Sequence, residues 1–144
     1  MIKSKDKNII NQLRENARSN LSHISKKTGV PISTIHDRMK LIDRHILKHS
    51  SLLNFSTFGL IQATLLIKLE QDQKRDFQTF LKDHSNINSA YRVDNMFDFV
   101  VEGIFKEMKN LHEFVDSIEN RFKVKEKQLF HVVSTIKKED YKII

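Results

Sequence analysis

Residues 19–46 read SNLSHISKKTGVPISTIHDRMKLIDRHI, and this stretch decides the fold of the first part of the chain. Apolar side chains recur at helical spacing on both sides of Gly29 and Pro31, which predicts two helices joined by a short turn. Ser19 can cap the first helix, and Gly29 tolerates the left-handed conformation that ends one. The second helix is predicted to begin at Ser33. Such a pair is typical of a helix-turn-helix. The predicted inward side chains are Leu21, Ile24, Ile35, Met39, Ile42 and Ile46.

Sequence on either side of this pair completes a winged helix-turn-helix. Ile9, Ile10, Leu13 and Ala17 recur at three-to-four-residue spacing and predict a first helix with one apolar stripe. The segment 47–53 alternates loosely between polar and apolar residues, which predicts a short strand pair beside the helices.

The formal net charge of +7 lies wholly in the first sixty residues. Residues 1–60 contain eleven Lys and Arg against four Asp and Glu, whereas residues 61–144 contain fourteen of each. A basic block predicts a polyanionic partner, and the phosphates of nucleic acid favour such a block because their neutralisation releases counterions. An anionic membrane surface is the alternative partner. The charge division predicts two domains, 1–60 and 61–144.

The outward side chains of the predicted second helix of the pair favour DNA recognition. The predicted outward side chains are Thr34, His36, Asp37 and Lys40, with Arg38 and Arg44 flanking them. Their hydroxyl, imidazole and cationic groups donate to base edges and phosphates. Asp37 repels phosphate, so we expect it to pair with Arg38 or Lys40. The alternative interpretation is a three-helix bundle with a solvated polar face. The predicted DNA-binding residues are Arg18, Ser19, Ser33, Thr34, His36, Asp37, Arg38, Lys40, Arg44 and Lys48.

Other features of the composition exclude several classes of protein. The sequence has no cysteine, which excludes disulfides, thiolate metal sites and a cysteine nucleophile. The N-terminus has no apolar core of a secretory signal, and the most apolar run, residues 60–69, is too short to span a bilayer. We therefore predict a cytoplasmic protein that does not enter membranes.

The second half of the sequence predicts a ferredoxin-like module. Residues 61–69 alternate with the period of a strand that is buried on one face. The order of predicted elements is strand, helix, strand, strand, helix, strand, which gives an α+β chain with both helices on one face of an antiparallel sheet. The predicted elements are a strand at 61–69, a helix capped by Asp72, strands at 87–93 and 97–105 joined by a turn at 94–96, a helix at 111–122, and a strand at 129–136.

The other face of this sheet is predicted to lie in an interface between two copies of the chain. Its outward side chains are too apolar for open water, and exposed patches of this character usually mark interfaces. The predicted dimer-interface residues are Leu66, Val100, Ile104, Phe130 and Val132.

A winged helix-turn-helix followed by this module resembles the leucine-responsive regulatory protein/AsnC family, the feast/famine transcription regulators. The resemblance covers residues 6–136. It implies sequence-specific binding of double-stranded DNA by homodimers or larger rings such as octamers, assembled through the C-terminal module, often with an amino acid as effector. The residues that carry the resemblance are Asp6, Ile9, Ile10, Leu13, Asn16, Ala17, Arg18, Ile24, Gly29, Ser33, Ile35, Arg38, Ile42, Gly59 and the stretch 93–98.

Two positions depart from the family pattern. His45 stands where the family usually has the glycine that ends the third helix, and histidine adopts the left-handed conformation only at a cost. The family's effector turn usually reads glycine, any residue, aromatic, aspartate, whereas this chain has Asn95, Met96, Phe97 and Asp98. These four residues are the predicted effector site. The Asn95 side chain fills space that a glycine leaves open, so we expect weak amino-acid binding or none.

Three alternative functions remain open beside DNA binding. An RNA-binding module shares this strand order, but Phe97 and Phe99 fit a core better than a stacking surface. An enzyme resembling haem-pathway decarboxylases of the same fold would use His131 with Arg92. A metal site is suggested by His45 and His49. No nucleophile, glycine-rich phosphate loop or acid/base pair stands out, so we predict no catalytic residue, no metal and no cofactor.

Overall fold

The computed structural model describes residues 2–144, which form two compact units. The first unit ends at Leu52 and also contains Ile136–Ile144, whereas the second unit comprises Leu53–Thr135. The sequence predicted one cut at residue 60. The structure instead groups the C-terminal segment with the first unit, because that segment is hydrogen-bonded to the first helix. No helix within residues 2–144 is long and apolar enough to cross a membrane.

Three helices make up most of the first unit. They are α1 (Ser4–Glu15), α2 (Leu21–Thr28) and α3 (Ile32–Ile42), and a 3-10 turn at Asp43–His45 follows α3. Their apolar stripes meet in one small core, since the isoleucines recur at helical spacing in all three sequences. The buried members of this core are Ile9, Ile10, Ile24, Val30, Ile35 and Ile42.

The turn between α2 and α3 follows the sequence prediction, with two corrections. Gly29 has φ +71°, the left-handed conformation expected at the end of a helix. Asn20, rather than Ser19, caps α2: its side-chain oxygen accepts the His23 backbone N–H at 2.8 Å. The third helix begins at Ile32, one residue before Ser33, because Pro31 has no N–H to lose and suits the start of a helix.

The predictions for the ends of this helical unit need correction. Ala17 lies beyond the end of α1 and is exposed. His45 does not adopt a left-handed conformation, because the chain leaves the 3-10 turn through an extended Ile46 instead. The predicted wing strands at 47–53 are absent from this unit, and these residues are irregular and exposed. A two-stranded pair is marginal unless it has a surface to pack against, so sequence alternation alone was not enough.

The second unit has the predicted ferredoxin-like order. Its elements are β1 (Ile61–Leu69), α4 (Lys74–Asp83), β2 (Ile87–Arg92), β3 (Phe99–Phe105), α5 (Met108–Arg121) and β4 (Val124–His131). The four strands form one antiparallel sheet in the order β2-β3-β1-β4. The α+β fold class and the strand order predicted from the sequence are therefore confirmed.

Three predicted boundaries in this unit were wrong. Asp72 does not cap α4 but lies in a 3-10 turn at Gln71–Gln73, and Gln73 holds the N-cap position. The third strand begins at Phe99 rather than Phe97. The last strand is Val124–His131 rather than 129–136, because it pairs with β1 in antiparallel register and β1 itself begins at Ile61. Val132, just past the strand, donates its N–H to the carbonyl of Gln62 at 2.9 Å.

One face of the sheet carries the core of the second unit. Alternate residues of β1 and β3 are buried there against the apolar stripes of α4 and α5, as the period-2 pattern predicts. Phe77 lies at the centre, with its ring edge-on to those of Phe99 and Phe122. The strand residues on this face are Ala63, Leu65, Ile67, Leu69, Phe99, Val101 and Phe105.

Candidate nucleic-acid interface and effector turn

The exposed face of α3 is the first candidate site. Ser33, His36, Asp37 and Lys40 are exposed and recur at three-to-four-residue spacing, whereas Ile35 on the opposite face is fully buried. This alternation fixes the rotation of the helix about its axis, so the polar stripe is presented to solvent. The stripe offers a hydroxyl, an imidazole and an ammonium group, which are donors for base edges and phosphates.

Asp37 lies within this stripe and has a different neighbour from the one expected. Its carboxylate oxygen is 3.6 Å from the Nδ1 atom of His36, and both side chains are largely exposed. The predicted pair with Arg38 does not form, because the Arg38 side chain points away from the stripe. The Asp37 carboxylate thus lies beside the imidazole of the neighbouring His36 at the exposed surface.

Arg38 instead joins α3 to α1 through a buried carboxylate. Its Nε donates to Oδ1 of Asp6 at 2.6 Å, and its terminal N–H group donates to Oδ2. Asp6 also accepts the backbone N–H of Lys3 at 3.2 Å. The hydrogen bonds from Arg38 hold the pKa of Asp6 below its ordinary value. Arg38 therefore has a structural partner, and its predicted contact with DNA remains a prediction.

The role of Asp6 was missed from the sequence, although a signal was present. Asp6, Ile9, Ile10 and Leu13 share one helical stripe, so an acid stands among the residues that face the core. A buried carboxylate needs a cation or several hydrogen bonds. On α3, Arg38 is the basic residue nearest the inward stripe, so it is the cation that the sequence offers to Asp6.

The remaining predicted DNA contacts lie at several places in the first unit. Arg18 is exposed just beyond α1, and its backbone N–H donates to the Asn16 side chain at 3.0 Å. Thr34 and Ser19 are half-buried, whereas Arg44 and Lys48 are exposed. The polar stripe of α3 thus brings together four of the ten predicted residues, Ser33, His36, Asp37 and Lys40.

The predicted effector turn, residues 95–98 of the second unit, is well formed although Asn95 stands where the family usually has glycine. Asn95 has φ +85°, a left-handed conformation that asparagine tolerates better than most residues. The turn is closed by Val93, whose N–H donates to the Asp98 carbonyl at 2.9 Å. Phe97 is buried, which confirms its prediction as a core residue, and Met96 is exposed.

Asp98, the acidic member of this turn, is already engaged. Its Oδ2 accepts the Leu69 backbone N–H at 2.9 Å, and its Oδ1 lies 3.0 Å from the Lys74 ammonium. Burial opposes ionisation, but the Leu69 hydrogen bond and Lys74 outweigh it and hold the pKa of Asp98 below its ordinary value. A ligand ammonium group would therefore compete with Lys74 for this carboxylate.

The face of the sheet opposite the core carries the predicted interface residues. Leu66 pairs with Val100, and Gln62 pairs with Ile104, so these apolar side chains share one face. Leu66, Val100, Ile104 and Val132 are half-buried, and Phe130 is 51% exposed. Thr64, Glu102 and Gln128 lie between them in the register, which makes the face more polar than predicted.

The two side chains nominated for enzymatic chemistry are not brought together. Arg92 lies on β2 and His131 on β4, and these strands form opposite edges of the sheet. The Nε2 atom of His49 is 3.8 Å from an Asp43 carboxylate oxygen. Within residues 2–144, no group of three or more His, Asp or Glu side chains is placed to hold a metal ion.

Comparison with known proteins agrees with both halves of this architecture. The profile of a winged helix-turn-helix DNA-binding domain matches residues 2–41, and that of the Lrp/AsnC ligand binding domain matches residues 62–141. The HTH-type transcriptional regulator FL11 of Pyrococcus furiosus is 31% identical over 116 residues, which cover 78% of this chain and 77% of that protein. An uncharacterized HTH-type transcriptional regulator of Pyrococcus abyssi is 27% identical over 146 residues and 99% of both chains.

Two solved structures share the fold. The transcriptional regulator NMB0573 of Neisseria meningitidis, solved as a complex with L-Met, has a TM-score of 0.85 at 21% identity, over 96% of this chain and 94% of that one. E. coli AsnC has a TM-score of 0.80 at 17% identity, over 96% of both chains. The chain belongs to the Lrp/AsnC family. It is a transcription regulator with a helix-turn-helix DNA-binding domain and an effector-binding domain.

Proposed function

We propose that this regulator binds specific DNA sequences as a homodimer, with α3 as the recognition helix, and that it is not an enzyme. The observation that carries the proposal is the exposed polar stripe of α3 on a strongly basic unit. The first unit holds fourteen Lys and Arg against six Asp and Glu, a net charge of +8. The second unit holds eleven against twelve, a net charge of −1. Phosphate attraction therefore acts on the unit that presents the recognition helix.

The sheet face opposite the core, here called the open face, carries Leu66, Val100 and Ile104 and supports the association of two copies of the chain. A two-fold dimer presents two recognition helices, so its binding site is roughly palindromic, with half-sites about one helical turn of DNA apart or a multiple of it. Selecting bound duplexes from a random pool tests the proposal directly. Enrichment of a palindrome is the expected result, and a pool that stays random contradicts sequence-specific binding.

We predict that Lys40 and His36 contribute to binding in different ways. Lys40→Ala removes a cation, so affinity should fall about equally on all sequences, and the slope of log K against log salt should flatten by about one. His36→Ala should alter the preferred base at one position, at a cost of ~1–3 kcal/mol on the best site if it removes a good base contact. Fluorescence anisotropy on the selected site and on single-base variants, at several salt concentrations, measures both effects.

Lys109→Ala is the matched control, since Lys109 is an exposed lysine on α5 of the second unit. It should leave both the affinity and the salt slope unchanged. A Lys109 variant that loses as much affinity as the Lys40 variant would move the DNA contact away from α3.

We predict that the Asn95 turn binds amino acids weakly or not at all in the wild-type protein. Backbone N–H groups hold a carboxylate best where no side chain narrows the approach, and Asn95 carries one. Asp98 is also occupied by Lys74 and the Leu69 N–H. Calorimetric titration of all twenty amino acids against the wild type and Asn95→Gly tests this, and glycine fits the positive φ without strain.

Binding to the glycine variant alone would show that a site persists and that the Asn95 side chain obstructs it. Glu139→Gly is the control, because Glu139 is the other non-glycine residue with a positive φ among residues 2–144 and lies in the first unit. Micromolar binding of any amino acid to the wild type would refute the prediction.

A further inference from the structure

The C-terminal segment lies along one side of α1. Lys7, Asn11 and Arg14 recur at intervals of four and three residues, so they form one stripe of the helix. Lys7 Nζ donates to the Ile144 carbonyl at 2.6 Å. The Asn11 side chain makes two bonds to Ile143: its amide donates to the carbonyl at 2.9 Å, and its oxygen accepts the backbone N–H at 2.9 Å. The side chains of this stripe thus form hydrogen bonds with the backbone of the C-terminal segment.

Arg14 holds the other end of the same segment. Its Nε donates to the Tyr141 carbonyl at 2.7 Å, and its terminal nitrogen donates to the Glu139 carbonyl at 2.8 Å. Glu139 has φ +50°, a conformation that costs a non-glycine residue free energy and persists only where neighbours enforce it. The hydrogen bond from Arg14 to the Glu139 carbonyl therefore holds the backbone at the residue that has this unfavourable conformation.

Ile143 adds apolar packing to these polar bonds. Its side chain is half-buried against the core of the first unit, which has six buried apolar residues within the part of the chain that the structure describes. A core of this size leaves little stability to spare, so one further apolar side chain is a sizeable part of it. The segment therefore belongs to the first unit energetically as well as by position.

A continuous set of contacts leads from this segment to the recognition helix. The segment holds Asn11 and Arg14 on one side of α1, and Asp6 on another side of α1 holds Arg38 of α3. Ile9 and Ile35 share the core between the two helices. The position of α3 thus depends on α1, and that of α1 on the segment.

We propose that Glu139–Ile144, here called the C-terminal clamp, positions the recognition helix for DNA binding by fixing α1. The consequence for DNA rests on the proposed function, whereas the effect on α1 does not. The segment before the clamp gives the chain a second covalent connection between the units, because residues 132–136 lead from the sheet back to the first unit.

Hydrogen exchange of the full chain tests the effect on α1. Asn11→Ala removes both bonds to Ile143, and Ile143→Ser removes its apolar packing. Either substitution should speed amide exchange in α1 and α3 by about tenfold, as expected for the loss of two modest hydrogen bonds or of half-buried apolar area. Exchange in β1 and α5 should stay unchanged. Ile136→Ser is the control, since that side chain is 97% exposed and should leave exchange as in the wild type.

DNA affinity separates positioning from stability alone. At a temperature where circular dichroism shows the Asn11→Ala protein fully folded, and with its active fraction verified by stoichiometric titration, Kd should rise about fivefold. The salt slope should not change, because Asn11 carries no charge. Asn11→Gln, which keeps both the amide donor and the acceptor for Ile143, should recover part of the affinity.

Three results would overturn the clamp. The first is that amide exchange in α1 is unchanged in both Asn11→Ala and Ile143→Ser. The second is that Asn11→Ala speeds exchange but leaves the Kd for DNA unchanged. The third is that Ile136→Ser speeds exchange as much as the other two substitutions do. Wild-type protein that binds no DNA would refute the proposed function instead, and the exchange experiment would still decide whether the segment fixes α1.

Discussion

Replacing Ile104 with aspartate should convert the proposed homodimer into monomers and lower affinity for the proposed palindromic site by at least about 100-fold. Ile104 lies on β3, a central strand, and its side chain shares the open sheet face with Val100 and Leu66. A dimer interface on this face would trap the new carboxylate without a partner, which costs more than losing the apolar contact. Loss of the dimer also removes the gain from binding two half-sites at once.

Analytical ultracentrifugation at micromolar concentration measures the first effect, and anisotropy on the full palindrome measures the second. His112→Asp is the control, because His112 is exposed on α5, which packs against the other face of the sheet. That variant should remain a dimer. A wild-type chain that sediments as a monomer would contradict the proposed homodimer, and a dimeric Ile104 variant would place the interface elsewhere.

Asp6→Asn should lower the unfolding midpoint of the helix-turn-helix unit by at least about 5 °C and abolish specific DNA binding where the unit unfolds. The substitution keeps the shape of the side chain but removes the charge that Arg38 faces. Arg38 would then lose the ion pair and one of its two hydrogen bonds to α1, because the asparagine NH2 group is a donor and cannot accept from the guanidinium. Hydrogen exchange resolved by segment measures the loss in α1 and α3 separately from the second unit.

The ion pair between Asp6 and Arg38 also predicts that the free energy of unfolding of the helix-turn-helix unit decreases at acid pH. The folded pKa of Asp6 is below the ordinary value of 3.8, so the folded protein holds this proton less tightly than the unfolded chain. The stabilisation is therefore complete above the ordinary pKa and is lost as pH falls from there through the lowered folded value. In Asp6→Asn the contribution of Asp6 to this acid destabilisation should be missing, whereas that of Asp98 in the second unit should remain. Asp43→Asn, at an exposed aspartate, should leave the contribution of Asp6 in place.

Where repeated spacing determined an element, the sequence was sufficient to predict it. The isoleucines of α1, α2 and α3 bury one stripe each, and the alternation of β1 gives it one buried face. Gly29 ended its helix as expected because few residues tolerate its φ. Most of the polar stripe of α3 followed from the same rule, since burial of Ile35 leaves His36 and Lys40 outside. Thr34 was also predicted to face outward, but it is half-buried, and Ser33 is exposed in its place.

What the sequence could not give were features that depend on a distant partner. The end of β4 is set by where β1 begins, and the spacing of Leu129 to Ile136 carries no trace of that. Arg38 was predicted to bind DNA because it is basic and on the right helix, but a carboxylate 32 residues earlier engages it. The wing was predicted from alternation in 47–53, and alternation does not supply a surface for a strand pair to pack on.

The C-terminal clamp has a consequence for dissecting the protein. The helix-turn-helix unit is discontinuous in sequence, because Ile136–Ile144 completes it after the whole second unit has intervened. A fragment cut after residue 52 or 60 would keep the recognition helix but lose Ile143 and the bonds to Asn11 and Arg14. A chimera that exchanges the effector module for that of a relative would meet the same difficulty. The new module would have to be joined at both of its ends, and residues 139–144 would have to come from the same parent protein as α1.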